Sequence, residues 1–340
     1  LSRNDLAATP VLTPASAHPV LDPATQQFVD DRLDRRPAAL RDQPLDAVRS
    51  AFAQAQAPQS DLPEIAAVDF VLHLAGGERL PIRILRPPGE ESPLPVVLYL
   101  HGGGWIMGGA GTHERLMRSL ALGARAAVAH VGYALAPEAR HPAQIEQAHA
   151  ALIALVERAA SLNLDASRIA LAGDGAGGAI AAALTLRLAI ADGPALAGQA
   201  LLCPITAPVG QSPSSLAFAE GPGPTADDLR YFEDCLGATA DGETQAFVLD
   251  TPLRRLTGLP PTLVITAEAD VTRDDAEAYA RKLMRAGVEV TALRLIGAIH
   301  DFMVLEALRD TPPATAAVRQ TIDFLRTALR TSAAGGPGRP

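Results

Sequence analysis

The chain is 340 residues long, with 29 Lys+Arg against 38 Asp+Glu and a net charge of −9. At roughly 150 residues per domain this allows two units, or one large α/β domain with a smaller attachment, with ample core and no need of disulfides. The acid excess, with no basic stripe, argues against nucleic acid as a partner, because phosphate backbones demand clustered cations.

Residue counts narrow the chemistry further. Lys282 is the lone lysine, so a phosphate-cradling G-x-x-x-x-G-K loop is excluded. Cys203 and Cys235 form no C-x-x-C, which speaks against a disulfide framework or a cysteine zinc site. No H-E-x-x-H occurs, and no metal is expected.

In chain order, residues 1–20 read as a loose polar arm without an apolar signal core. A cytoplasmic location is expected, with a removed upstream segment left open. Residues 23–57 look helical, with a second start at Asp42-Gln43-Pro44 followed by Leu45, Val48 and Phe52. Strands at 68–73 and 80–85 flank Gly76-Gly77 and predict a hairpin. From Pro95 onward strands and helices alternate. Strands are expected at 96–100, 126–131, 169–172 and 199–203, with helices at 112–123, 142–160 and 176–190. The 176–191 stretch carries Arg187 and is too short and broken to span a bilayer. Residues 205–260, rich in Pro, Gly and Ser, read as an insertion with one helix at 225–235. Then follow a strand at 262–267, a helix at 272–286, a strand at 288–295, a helix at 313–329 and a mobile tail at 332–340. Repeated β-α units imply a mostly parallel sheet with helices on both faces.

Three elements carry chemistry. His101-Gly102-Gly103-Gly104-Trp105 follows a buried strand, and such a glycine loop can aim amide N–H groups at a developing oxyanion. Gly173-Asp174-Gly175-Ala176-Gly177-Gly178 joins a strand to an apolar helix. It satisfies G-x-G-x-x-G, but a dinucleotide site expects an acid about 20 residues on. Leu201-Leu202-Cys203-Pro204-Ile205 offers none there. The better reading is a nucleophile elbow, G-x-S-x-G, with glycine in the serine position and the Ala176 amide as an oxyanion donor. Asp270 and His300 each follow a later strand, in the order nucleophile, acid, histidine. Asp270 would orient the imidazole, and His300 would act as base and then acid.

With Tyr133-Ala134-Leu135-Ala136-Pro137-Glu138, Asp270 with Arg273-Asp274, and His300 with Phe302, the chain resembles the bacterial hormone-sensitive-lipase-like esterases of the α/β-hydrolase fold. The resemblance runs from about residue 95 to 329. It implies a mostly parallel eight-stranded sheet flanked by helices, under a helical cap. The implied division is arm and cap helices at 1–60, hydrolase core at 61–204 and 261–331, a cap insertion at 205–260, and the tail. It also implies hydrolysis of short acyl esters without a cofactor, and a possible homodimer through sheet edges or terminal helices. The expected oxyanion donors are Gly102, Gly103 and Ala176, and Trp105 and Tyr133 are expected to border the substrate pocket. The 133–138 segment is read mainly as support for the site floor, and His130, His141 and His149 as surface or packed residues.

Three departures stand out. Gly175 replaces the family's serine, Val271-Thr272 replaces Pro-Leu after the acid, and Asp301 replaces the glycine after the histidine. Glycine cannot form an acyl-enzyme, so ester binding with little turnover is expected. Several readings of Gly175 remain open: a serine deliberately replaced to trap a ligand, a natural small-molecule receptor, a lyase or dehydratase using His300 as base, or a water activated directly by His300.

Overall fold

A computed structural model describes residues 19–35, 38–58, 62–191, 193–238 and 245–331. The expected arm up to residue 18 and the expected tail lie outside these. Eight strands form one sheet: β1 (Ala66–His73), β2 (Arg79–Arg86), β3 (Leu94–Leu100), β4 (Ala127–Val131), β5 (Leu164–Asp174), β6 (Gly198–Leu202), β7 (Thr262–Ala269) and β8 (Val290–Ile299). Their order is β1-β2-β4-β3-β5-β6-β7-β8. The β1–β2 hairpin and the β2–β4 pair are antiparallel, and every later pair is parallel. This is the expected eight-stranded, mostly parallel sheet.

The strands lie where side chains and backbone partners agree. All of β3 is buried, as a central parallel strand between two helical layers must be. The register of β3 against β5 shifts between Leu94 and Val96, at Pro95, which has no amide proton to give the ladder. β5 starts five residues earlier than its apolar core suggests. Asp165, Ser167 and Arg168 hide that part from a hydrophobicity pattern, although Asp165 accepts bonds from both of the others. β8 runs to Ile299 because Ile299 pairs with Ala269 beyond a shift of register in which the extra residues lie in β8, and the Gly297 amide donates to Glu268 there.

The helices are α1 (Pro23–Asp34), α2 (Leu45–Ala55), α3 (Ala110–Ala124), α4 (Ala143–Glu157), α5 (Gly175–Ile190), α6 (Pro213–Ala217), α7 (Ala226–Leu236), α8 (Arg273–Arg285) and α9 (Pro312–Leu329). α5 is buried on nearly every side, which its alanines and glycines allow. The short α6 escapes a periodicity reading; Ser212 caps it by accepting from the Ser215 amide. Among the described residues no helix is long and apolar enough to cross a membrane.

The two segments outside the alternating core meet each other and the loop after β3. Arg41 pairs with Asp227 at 3.0 Å, and its guanidinium lies over the Tyr231 ring of α7. In α2, Arg49 donates to the Ile106 and Ala136 carbonyls at 2.7 and 3.1 Å and to both oxygens of Glu138. Glu138 is largely exposed, so solvent screens the ion pair and the two carbonyl bonds carry the stabilisation. Replacing Arg49 with Met should cost about 2 kcal/mol. It should also lower the urea midpoint; an unchanged midpoint would show that α2 rests on packing alone.

Candidate active site

The C-terminal ends of β3, β5, β7 and β8 bring the candidate residues together. β5 ends at Asp174 and α5 begins at Gly175, whose φ of +48° lies in the left-handed region. His300 follows β8. A Cβ built on Gly175 would stand 3.3 Å from His300 Nε2. The other ring nitrogen, Nδ1, is 2.8 Å from Asp270 Oδ2. Asp270 is buried, and its Oδ1 accepts from the Thr272 amide and hydroxyl at 2.8 and 2.9 Å. The Thr272 departure thus supplies the hydroxyl that fixes the carboxylate. Burial works against a charged His300, yet the carboxylates of Asp270 and Asp301 outweigh it and push its pKa up to about 10.

Asp301, noted in the sequence only as a departure from the family's glycine, has a defined place in the site. Its φ is +54°. Its carbonyl accepts from Val304 and Leu305 at 2.7 and 3.0 Å, which holds that backbone in place. The carboxylate turns toward residue 175: Oδ2 lies 3.3 Å from the built Cβ and 3.5 Å from His300 Nε2. Burial raises the Asp301 pKa to about 7, against the opposing pull of His300. An acid beside the histidine was visible in the sequence; that it faces position 175 was not.

Cys203 closes the site from β6. Donor atoms of Cys203, Asp270 and His300 lie within 4.8 Å of one another. Among the described residues these form the one grouping whose donors could share a cation. Asp270 is already engaged by His300 and Thr272, and burial pushes the Cys203 thiol well up, toward its protonated form. The donor set therefore fits a proton-handling dyad better than a metal cage.

A second buried network underlies the turn. Asp174 accepts from the Tyr99 hydroxyl, and its Oδ2 is 3.2 Å from His113 Nε2. Burial disfavours charge on both partners, but their mutual attraction prevails, lowering the Asp174 pKa and raising that of His113. The 101–105 loop rests on this pair. A Cβ on Gly102 would come within 2.1 Å of Asp174 Oδ2, so only glycine lets the loop lie there. Nothing in the sequence links His113 to Asp174; sixty-one positions separate them.

The remaining expected residues have defined places. Gly102 and Ala176 are buried beside the turn, Ala176 in the first turn of α5. Gly103 is half-buried. Tyr133 is buried, stacks on the His101 ring at 4.3 Å and donates to the His101 carbonyl at 2.7 Å. Burial pushes His101 down to about 3, so its ring is neutral. Trp105 is also buried, edge-on to Phe247 at 6.0 Å. His130 is packed against His101. A cleft of about 650 Å³ touches His101 and Tyr133 but none of Gly175, Asp270 and His300. From the insertion, Gly223 passes over His300, a built Cβ lying 3.5 Å from the His300 Cβ.

Residues 97–304 match the profile of a family described as the alpha/beta hydrolase fold. Carboxylesterase NlhH of Mycobacterium tuberculosis is 35% identical over 320 residues, covering 93% of this chain and 98% of the relative. Ethyl acetate hydrolase of Pseudomonas putida is 35% identical over 271 residues, 76% of this chain and 83% of its own. The crystal structure of a thermostable esterase from Pseudomonas putida superposes with a TM-score of 0.87 at 36% identity, covering 92% of this chain and 98% of that one. The chain belongs to the alpha/beta hydrolase fold family, among its hormone-sensitive-lipase-like esterases.

Proposed function

We propose that this chain binds short-chain carboxylic esters, and that glycine at 175 closes the acyl-enzyme route its relatives' fold would serve. The observation that carries this reading is the placement of His300 Nε2, 3.3 Å from a Cβ at 175, with Nδ1 on Asp270. The amides of Gly102, Gly103 and Ala176 are the oxyanion donors. Because they belong to the main chain, they survive the loss of a side chain. Trp105 and Tyr133 border the pocket by holding the 101–105 loop. The N-terminal helices and the 205–260 insertion form the cap that selects the ester, and the reaction calls on no cofactor.

By analogy with a serine protease, losing the nucleophile costs about 10⁶-fold in kcat, equivalent to roughly 8 kcal/mol of barrier. Oxyanion donors and binding alone can retain about 10³-fold over water. The test is p-nitrophenyl acetate hydrolysis by the chain and by Gly175→Ser, alone and combined with Asp301→Gly, together with ester binding by the unaltered chain. A large gain in the serine variants supports the reading. Tight ester binding with no gain in either would favour a receptor. Loss of water from a substrate, abolished by His300→Ala, would mark a lyase.

A further inference from the structure

The two departures that matter most face each other. Where the family carries serine in the elbow and glycine after the histidine, this chain carries Gly175 and Asp301. The Asp301 carboxylate reaches to 3.3 Å from the Cβ that a serine would need. That approach is tight for a side chain and comfortable for glycine. Asp301 Oδ1 is buried with no hydrogen-bond partner among the described residues, although a buried carboxylate oxygen is costly to leave unsatisfied. The side chain is more than four-fifths buried, in a left-handed backbone conformation that disfavours a residue with a Cβ. An unpaired acid oxygen and a strained backbone, both beside a catalytic-type histidine, require a reason.

We propose that Asp301 stands in for the absent nucleophile: its carboxylate, with His300 Nε2, holds a water over Gly175 and deprotonates it for direct attack on the ester carbonyl. This rests on the ester-binding reading above. A water proton passes to Asp301 as the water oxygen bonds to the acyl carbon. The tetrahedral oxyanion sits on the loop amides. As the carbonyl re-forms, the C–O bond to the alcohol breaks, and the leaving alkoxide takes the proton from His300 Nε2. Asp301 returns its proton to His300 across the 3.5 Å that separates them. One water enters, one acid and one alcohol leave, and no acyl-enzyme forms.

The roles differ from those of a serine triad, in which the histidine must start neutral to act as base. Here His300 lies between two carboxylates and starts protonated, as the acid, while Asp301 is the base. The groups facing Asp301 are His300, Asp270 at the end of β7, Asp174 at the end of β5, His113 of α3, Tyr99 of β3 and the Cys203 thiol after β6. Asp301 must be ionised and His300 protonated, so the rate should rise through about pH 7 and fall near about pH 10.

The experiment compares p-nitrophenyl acetate hydrolysis by the unaltered chain, Asp301→Asn and Asp301→Gly across pH, with quenched-flow mass spectrometry for acylated protein. The unaltered chain should exceed the buffer rate without accumulating acyl-protein. Asp301→Asn should lower kcat about 10²-fold at a KM within about threefold and erase the limb near neutrality. Asp301→Gly, which restores the family residue and should fold, should lose as much. Asparagine retaining the rate and pH profile would overturn the proposal. So would trapped acyl-protein in the unaltered chain, or ester binding without hydrolysis above buffer. If the chain bound no ester and the Gly175→Ser/Asp301→Gly chain gained nothing, the underlying esterase reading would fall as well.

Discussion

The chain carrying both Gly175→Ser and Asp301→Gly should hydrolyse p-nitrophenyl acetate about 10⁵-fold faster than the unaltered protein, most of what a serine nucleophile is worth. A serine Cβ at 175 stands 3.3 Å from His300 Nε2, so its hydroxyl falls within reach of the ring that must take its proton. The left-handed φ at 175 costs a serine about 1 kcal/mol, small beside the gain. Gly175→Ser alone should do markedly worse. Asp301 then crowds the new side chain at 3.3 and 3.7 Å, and it helps to hold the His300 pKa near about 10. At pH 8 only about one His300 in a hundred would be neutral, and Asp270 still raises the ring's pKa when Asp301 is gone, so the single variant should fall short of the double by at most roughly 10²-fold. The gap should narrow as pH rises toward 10. Equal rates for single and double variants at pH 8 would show that Asp301 does not control the protonation of His300.

Asp174→Ala should destabilise the protein by about 3–5 kcal/mol, because it strands a buried charged partner and a buried hydroxyl together. Asp174 is fully buried and is the acceptor for both Tyr99 and His113. The Asp174 pKa is lowered from 3.8, so its contribution is present above that value and fades as pH falls through the lower folded value. The His113 pKa is raised from 6.5, so its contribution is full below that value and fades as pH climbs through the higher folded one. The stability difference between the unaltered and Asp174→Ala chains should therefore be widest between about pH 4 and 6.5. Urea unfolding at pH 3, 5.5 and 9 measures it. A difference that does not change with pH would mean that the pair is not ionic.

How far the residues themselves announced this architecture varies from one part to another. The 101–105 loop and the 173–178 turn were legible because each lies within a few residues of a buried strand, and local backbone geometry fixes what such a segment can do. The strands at 164–168 and 296–299 were not legible. Polar side chains at 165–168, and Gly297 with a shift of register in the second stretch, mask a pairing that neighbouring backbone enforces. Arg49 was silent for a similar reason, since its partners lie 57 to 89 positions away.

The sequence by itself determined which groups this protein possesses: a glycine where a serine would attack, an acid and a histidine after later strands, and a glycine loop able to offer amides. Only the tertiary structure decided which of them meet. The sheet order sets β3, β5, β6, β7 and β8 side by side, and that adjacency brings Asp301, just after β8, to Gly175, just after β5. Spacing along a chain controls local conformation, whereas contact between strand ends depends on which strands become neighbours, and the burial of the whole sheet settles that.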